Sequence, residues 1–422
     1  MNAATAFPHF EYRDGALHAE EVPLSRIAAE FGTPVYVYSK AALIGAWRAF
    51  TRELSGRDAL VCFAMKANSN LAVLDTFARE GAGFDIVSGG ELRRVLAAGG
   101  SPDRVIFSGV GKTEEEIAFA LSQGILCFNV ESAAELNRLD AVAGRMGKVA
   151  PLSFRVNPDV DALTHPYIST GLKENKFGVD LLVAPDLYRR AATMRNVRIV
   201  GIDCHIGSQL TDPAPLFEAL DKMLALIDSL GREGIRIHHL DLGGGLGIRY
   251  SDEVPPDPGA YMREVLRRVG DRELRLMFEP GRNLVGNAGV LLTRVEFLKP
   301  GPLKNFAIID AAMNDLLRPS LYDAHHEILP VSPRGTAALA YDVVGPVCES
   351  GDFLARGRNL AVEAGDLLAV MSAGAYGMVM ASNYNTRPRA AEVMVDGSSM
   401  HLVRLREKPE DLFALERIPG KS

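Results

Sequence analysis

The chain has 422 residues, 47% of them hydrophobic and 23% charged, an ordinary globular balance with length for two or three domains. Its 46 basic and 53 acidic residues give a formal charge of minus 7, with no basic cluster to track a phosphodiester backbone, which argues against nucleic acid as a partner. Met1–Phe10 lacks a signal-peptide pattern, and the longest apolar run, near Ala369–Ala381, is broken by glycine and too short for a bilayer, so a soluble cytoplasmic protein is expected.

In chain order, short strand-like pieces come first, at Phe10–Tyr12 and Ala16–His18. From about Pro34 to Pro280 one unit then repeats: an apolar, β-rich run, a turn with Gly, Ser or Asn, and a segment with apolar residues three and four apart. The predicted strands are Ala59–Met65, Phe84–Val87, Val105–Ser108, Ile125–Val130, Leu152–Val156, Val197–Ile206, His239–Leu242 and Leu274–Phe278. The predicted helices are Leu71–Glu80, Gly90–Ala98, Thr113–Gln123, Ala133–Val142, Pro185–Met194, Pro215–Glu233 and Gly259–Val269. Alternation of this kind suits a (β/α)8 barrel of roughly 250 residues, and pattern alone also permits an open doubly wound sheet.

After Gly281 the texture changes to strand-like runs split by Pro and Gly turns: Val290–Val295, Asn305–Asp310, Ala340–Val344, Asp366–Met371, Arg389–Val395 and His401–Arg404. The division predicted is therefore a barrel over residues 34–282 and an all-β domain over residues 283–422 that also takes in residues 1–33. No finer repeats and no low-complexity tracts are present.

The four cysteines, Cys62, Cys127, Cys204 and Cys348, are far apart, in no metal-ligand spacing and too few for a disulfide framework. The first three read as structural. The histidines also form no ligand spacing, and no metal site is expected.

In a barrel, functional groups collect at the C-terminal ends of strands, where loops vary without disturbing the packed interior. Polar residues here do so. They are Lys66 and Asn68 after strand one, Asp85 with Ser88–Glu91 at strand two, Arg155 and Asn157 at strand five, His205–Gln209 at strand six, Asp241–Gly245 at strand seven, and Glu279–Arg282 at strand eight. Alternation puts Lys66 on the same face as Cys62 and Ala64, toward the barrel mouth, where a partly desolvated amine could attack an aldehyde or merely form a salt bridge.

Gly243, Gly244, Gly245 and Gly281 would let backbone N–H groups approach a phosphate, or simply make tight turns. Glu279 is placed beside any such phosphate and needs a cationic partner; the pyridine nitrogen of pyridoxal phosphate would serve, as would Arg282. His205 would face the mouth, because Cys204 before it faces the helices, and could stack neutral on a flat ring or sit as an ordinary core histidine. In the β-rich part, Arg318–Tyr322, Val347–Asp352 and Ala373–Gly377 are turn-like segments able to carry substrate contacts or plain surface polarity.

Assembled, these segments resemble the fold-type III pyridoxal phosphate decarboxylases, and among them the diaminopimelate decarboxylase group. The resemblance runs from about Pro34 to Pro388 and rests on Phe63–Asn68, Asp85–Glu91, Gly171–Gly178, His205–Gln209, Glu279–Arg282, Cys348–Asp352 and the Tyr376 segment. It implies that Lys66 forms the internal aldimine, with Asp85 among the cofactor-binding residues. It further implies that His205 stacks on the ring and Glu279 pairs with the pyridine nitrogen. Ser208, Gly243, Gly244, Gly245, Gly281, Arg282 and Tyr376 would hold the phosphate end. Arg282, Arg318 and Tyr322 would bind the remote carboxylate of meso-diaminopimelate, with Tyr376 also near substrate, and Glu349 its remote ammonium.

Cys348 would return a proton to the carbanion, and the resemblance implies a head-to-tail homodimer in which Cys348 and Glu349 enter the partner's site. Met65 stands where Val is expected and Ser320 where Ala is common. Ornithine, arginine or a carboxylated polyamine are alternative substrates on the same scaffold, but Arg282, Arg318 and Tyr322 suit a remote carboxylate better than a plain diamine end. Related racemases place Arg where Glu279 stands, and a non-catalytic relative would be marked by loss of the lysine that Lys66 supplies.

Overall fold

The structure, a computed structural model, describes residues 7–161 and 176–420, so residues 171–175 of the Gly171–Gly178 motif lie outside the described residues. Its contacts divide the chain into two compact units: Ile44–Ile248 with Val254–Leu284, and Met1–Leu43 with Arg249–Glu253 and Val285–Ser422.

The first unit is built on eight parallel strands: β1 (Ala59–Ala64), β2 (Gly83–Ile86), β3 (Val105–Phe107), β4 (Cys127–Val130), β5 (Ala150–Asn157), β6 (Val197–Asp203), β7 (His239–Asp241) and β8 (Arg275–Phe278). Each pairs with the next, and β8 pairs back to β1 from Leu276 opposite Ala59 to Phe278 opposite Val61. The sheet is therefore closed, which decides for the barrel over the open sheet.

Alternation sorts the side chains. Leu60 and Cys62 of β1 form a buried interior cluster with Ile106, Cys127, Val200 and Met277. Two residues further along three of those strands, Ser108, Asn129 and Glu279 are also buried, so the interior turns polar toward the C-terminal end. The opposite face of β1 turns Phe63 against Phe77 of the following helix, ring centroids 4.6 Å apart. Phe154 of β5 meets Tyr188 edge-on at 4.9 Å.

Five of the barrel helices start where side chains satisfy their first N–H groups. Asn70, Ser88, Ser132 and Asp257 cap Leu71–Arg79, Gly89–Ala97, Ala133–Arg145 and Pro258–Val269, and Thr113 with Glu116 makes a capping box on Glu114–Gln123. Each cap stabilises by about 1 kcal/mol, which fixes where each loop hands over to its helix.

The second unit is β-rich. Its central strand, Gly289–Lys299, pairs antiparallel with Val35–Ser39, with Leu367–Val370 and with Asn305–Ile309 along successive parts of its length. Leu339–Val344 and Phe353–Leu360 extend one side, and Ala391–Asp396 with Ser399–Arg404 extend the other. A separate three-stranded sheet, Phe10–Arg13, Ala16–Ala19 and Val22–Pro23, packs Phe10, Leu17 and Val22 into a core with Val35, Val290, Leu292 and Val393.

Val35–Ser39 belongs to this sheet, although a boundary at residue 34 counts it with the barrel. Its fully buried Val-Tyr-Val-Tyr-Ser run followed by a helix imitates a βα unit in sequence. Phe353–Leu360 and Ile328–Pro330 are strands that the sequence pattern does not reveal. In Phe353–Leu360 the exposed Arg356 and Gly357, followed by the partly buried Arg358, break the apolar alternation that marks a half-buried strand.

Candidate active site

Lys66 lies one step beyond its expected place. β1 ends at Ala64, and Lys66 sits in the single turn Met65–Ala67, so strand alternation does not carry through to it. The turn still brings its amine 2.5 Å from Asp85 Oδ2 at the end of β2. The Asp85 side chain is fully buried while that of Lys66 is 37% exposed, and Asp85 Oδ1 is a buried oxygen with no hydrogen-bond partner among the described residues.

Glu279 follows β8 and is buried. Its Oε1 accepts hydrogen bonds from Asn129 Nδ2 at 3.4 Å and Ser108 Oγ at 3.5 Å. One carboxylate oxygen each from Glu279, Asp203 and Asp241 lies within 4.8 Å of the others. Burial, reinforced by Asp241, Asp85 and Asp203, holds the Glu279 carboxyl protonated well above its ordinary range, while the Lys66 charge acts against this. Burial likewise pushes Asp241 up to about 7, opposed by the Gly243 N–H bond to its Oδ1. Asp203 is raised by burial and by Asp241. Three buried acids crowded together disfavour carrying all their charges at once.

His205 does not end a strand: β6 stops at Asp203, and Cys204 and His205 begin the loop. Its ring nitrogen Nδ1 accepts from the Gly244 N–H at 3.3 Å, which leaves the ring proton on Nε2. Burial, then the charges of Arg155 and Lys66, push its pKa well below the usual value, so the imidazole is neutral. Arg155 also donates to the His205 carbonyl at 3.4 Å.

The loops after β6 and β7 are zipped together. Leu210 N donates to Gly245 O and Gly247 N to Leu210 O, both at 2.9 Å, and the Gln209 amide bonds both ways to Ile248, at 2.7 and 3.1 Å. A side chain at Gly244 would put its Cβ 2.5 Å from Glu279 O, and Gly245 has φ 116°, a region that L side chains rarely adopt. Gly243 and Gly281 are buried within the same set of loops. Arg282 donates from Nε and Nη2 to Ser208 Oγ at 3.2 and 3.1 Å, which leaves the Ser208 hydroxyl proton available to an acceptor.

These residues fit a flat phosphorylated aldehyde. A lysine amine for the carbonyl carbon, a neutral flat imidazole, a buried acid, a glycine-lined close approach and a hydroxyl backed by Arg282 all belong to one unit.

The remaining predicted residues belong to the second unit. Arg318 and Tyr322 begin and end the short helix Arg318–Tyr322, and Cys348 and Glu349 are exposed on the turn before Phe353–Leu360. The unusual Ser320 ties these together, its hydroxyl donating to Gly351 O at 2.6 Å. Asp352 shapes the turn by accepting from the Val347 and Met313 N–H groups, each at 2.7 Å. Tyr376 is half-buried with φ 55°, in a turn where a Cβ at Gly374 would collide with the Val285 carbonyl.

Ser108, Asn129 and Asp203 were not among the residues singled out from sequence. The available signal was a polar residue at an inward-facing position beside an apolar strand.

The chain matches the profile of the pyridoxal-dependent decarboxylase pyridoxal-binding domain over residues 40–286. It is 61% identical to the diaminopimelate decarboxylase of Pseudomonas fluorescens, over 97% of this chain and 99% of that protein. This chain belongs to the diaminopimelate decarboxylase family of pyridoxal-dependent decarboxylases. Solved structures agree. The enzyme of M. jannaschii in co-complex with L-lysine superposes with a TM-score of 0.93 at 38% identity, covering 98% of this chain and 99% of that one. The Helicobacter pylori enzyme complexed with L-lysine gives 0.90 at 42%, covering 93% and 99%. Among the described residues no helix is long and apolar enough to cross a membrane.

Proposed function

We infer that this protein decarboxylates meso-diaminopimelate to L-lysine and CO2, the last step of lysine formation, with Lys66 as the residue that holds pyridoxal phosphate. The observation that carries this is the 2.5 Å Lys66–Asp85 pair in the same barrel unit as the buried Glu279, within a chain of the family just described. A chain making lysine in this way would work in the cytoplasm.

When bound, pyridoxal phosphate supplies an electron sink for the pair released by the departing carboxyl group. The chain's own groups do the rest. Lys66 offers the amine that anchors the cofactor, and Asp85 keeps that amine oriented through a charge-assisted bond. Glu279 would face the pyridine nitrogen, where its carboxylate would keep that nitrogen protonated and so strengthen the sink. Neutral His205 adds a flat face without adding positive charge. The backbone of Gly243, Gly244, Gly245 and Gly281, the Ser208 hydroxyl, Arg282 and Tyr376 would hold the phosphate.

Arg282, Arg318 and Tyr322 would bind the substrate carboxylate remote from the reacting centre, near Tyr376, and Glu349 its ammonium. Cys348 would deliver the proton that replaces CO2 at the α-carbon, and reaction at the D-configured centre would leave the L-centre intact. We infer a homodimer in which Cys348 and Glu349 serve the partner's site. Their exposure on one turn supports this reading.

The test is to supply purified protein and pyridoxal phosphate with meso-diaminopimelate, ornithine or arginine, and to measure CO2 with the amine formed. Lysine from meso-diaminopimelate is the expected result. Putrescine or agmatine without lysine would overturn the substrate assignment.

A further inference from the structure

We propose that His326 is a positioning residue for substrate specificity, holding Arg318 in the orientation that reads the remote carboxylate. This rests on the reading of Arg318 given above and extends it to a buried residue with no role so far.

His326 Nε2 lies 2.8 Å from Arg318 Nη1. A guanidinium has only donors, so Nε2 must be the acceptor. The other nitrogen, Nδ1, then carries the ring proton, and it lies 2.8 Å from the Met371 carbonyl, to which it donates. The two bonds together fix one neutral tautomer: a cationic ring would turn an N–H toward the guanidinium and lose the contact.

The imidazole is thus a rigid spacer between a backbone carbonyl and the arginine. His326 is fully buried and Arg318 is 6% exposed. The carbonyl it leans on is itself fixed. Met371 N donates to Glu327 O at 2.8 Å, and the adjoining strands pair with Ile328 opposite Val370. From the other side Arg358 donates to the His326 carbonyl at 3.0 Å.

Tyr250 completes the clamp. Its ring lies 4.6 Å from the Arg318 guanidinium carbon and meets the His326 ring edge-on at 5.3 Å, with planes at 79°. Stacking sets the plane of the guanidinium, and the bond from His326 sets its rotation within that plane. An imidazole does this without cancelling the positive charge, whereas an acid in the same place would compete with a substrate carboxylate for it. A long, flexible arginine held in advance loses less entropy when it binds a carboxylate.

The experiment uses the full-length holoenzyme with His326→Asn, His326→Gln and Arg318→Met. Asn can still donate to Met371 O but has no acceptor at the Nε2 position; Gln can place an amide oxygen there. The readouts are KM and kcat for meso-diaminopimelate, and inhibition by L-lysine, which keeps the remote carboxylate, against cadaverine, which lacks it. His326→Asn should raise KM and weaken L-lysine about tenfold, leaving kcat within about threefold and cadaverine unchanged, and His326→Gln should recover most of the loss.

If Arg318→Met weakens L-lysine selectively but His326→Asn weakens neither inhibitor, or both equally, the positioning role is wrong and the reading of Arg318 stands. If Arg318→Met does not separate the two inhibitors, the reading of Arg318 fails and the proposal falls with it. Should His326→Asn not fold, His326→Gln carries the test: L-lysine inhibition within about threefold of the parent supports the proposal, and a selective tenfold loss overturns it.

Discussion

The Lys66 amine and the Asp85 carboxylate meet at 2.5 Å across the ends of two adjacent barrel strands, with one Asp85 oxygen buried and unpartnered among the described residues. Asp85 also lies close enough to Asp241 and Glu279 to raise both. A buried acid with an unsatisfied oxygen, set among other acids, costs stability, and what it touches is the lysine amine.

Asp85→Asn should therefore separate stability from function. Removing the charge relieves repulsion among the acids, so the melting temperature of the cofactor-free chain should stay level or rise. The kcat/KM should fall by at least about tenfold, because Lys66 loses its charge-assisted bond. Thermal melts beside steady-state kinetics check this, and a lower melting temperature with full activity would contradict it.

The buried acids predict a definite pH dependence. A carboxyl whose pKa is raised in the fold binds a proton that the unfolded chain has already released. Its contribution to stability is fully present below the ordinary carboxylate range, declines as pH rises to about 7 for Asp241, and is flat above that. Asp241→Asn removes this titration. The variant should match or fall below the parent near pH 4 and exceed it near pH 8, by on the order of 1–3 kcal/mol. Denaturant midpoints of the cofactor-free chain from pH 4 to 8 give the comparison, and parallel curves would count against the raised Asp241.

The cysteines should divide by burial. Burial holds the Cys62, Cys127 and Cys204 thiols well above their usual pKa, whereas Cys348 is exposed. Iodoacetamide on the native protein should modify one thiol per chain, at Cys348, with activity lost in parallel and L-lysine slowing both. Modification of Cys348 without loss of activity would remove it from the chemistry.

Shared sites predict complementation. Lys66→Ala and Cys348→Ala chains, each inactive alone, should regain about a quarter of parental activity after mixing and reassociation, since half the dimers are mixed and each carries one intact site. No recovery, despite demonstrated exchange of subunits, would place both residues in the same chain's site.

Much of this was legible in the sequence for a physical reason. Barrel strands alternate with helices, most of which have their own caps, so Ala59–Ala64 through Arg275–Phe278 announce themselves by period and punctuation. Strand closure could not be read that way, because it depends on β8 meeting β1 across more than two hundred residues.

Strand ends were less certain: Lys66 and His205 both fall past their strands, in turns whose hydrogen bonds decide where a side chain goes. Asp241 is visible at the end of strand seven, but Asp203 is obscured because the pattern carries that strand on to Ile206, whereas it stops at Asp203. His326 was also hidden. Its two partners are Arg318 and Met371, and only the pairing of Ile328–Pro330 with Leu367–Val370 brings the second within reach.

The most direct test of the central claim is chemical. The holoenzyme is reduced with borohydride, digested, and the pyridoxyl-bearing peptide identified by mass. The label should fall on Lys66 and be absent from Lys66→Ala; a label on any other lysine, or one that persists in the variant, would contradict the assignment of the anchor.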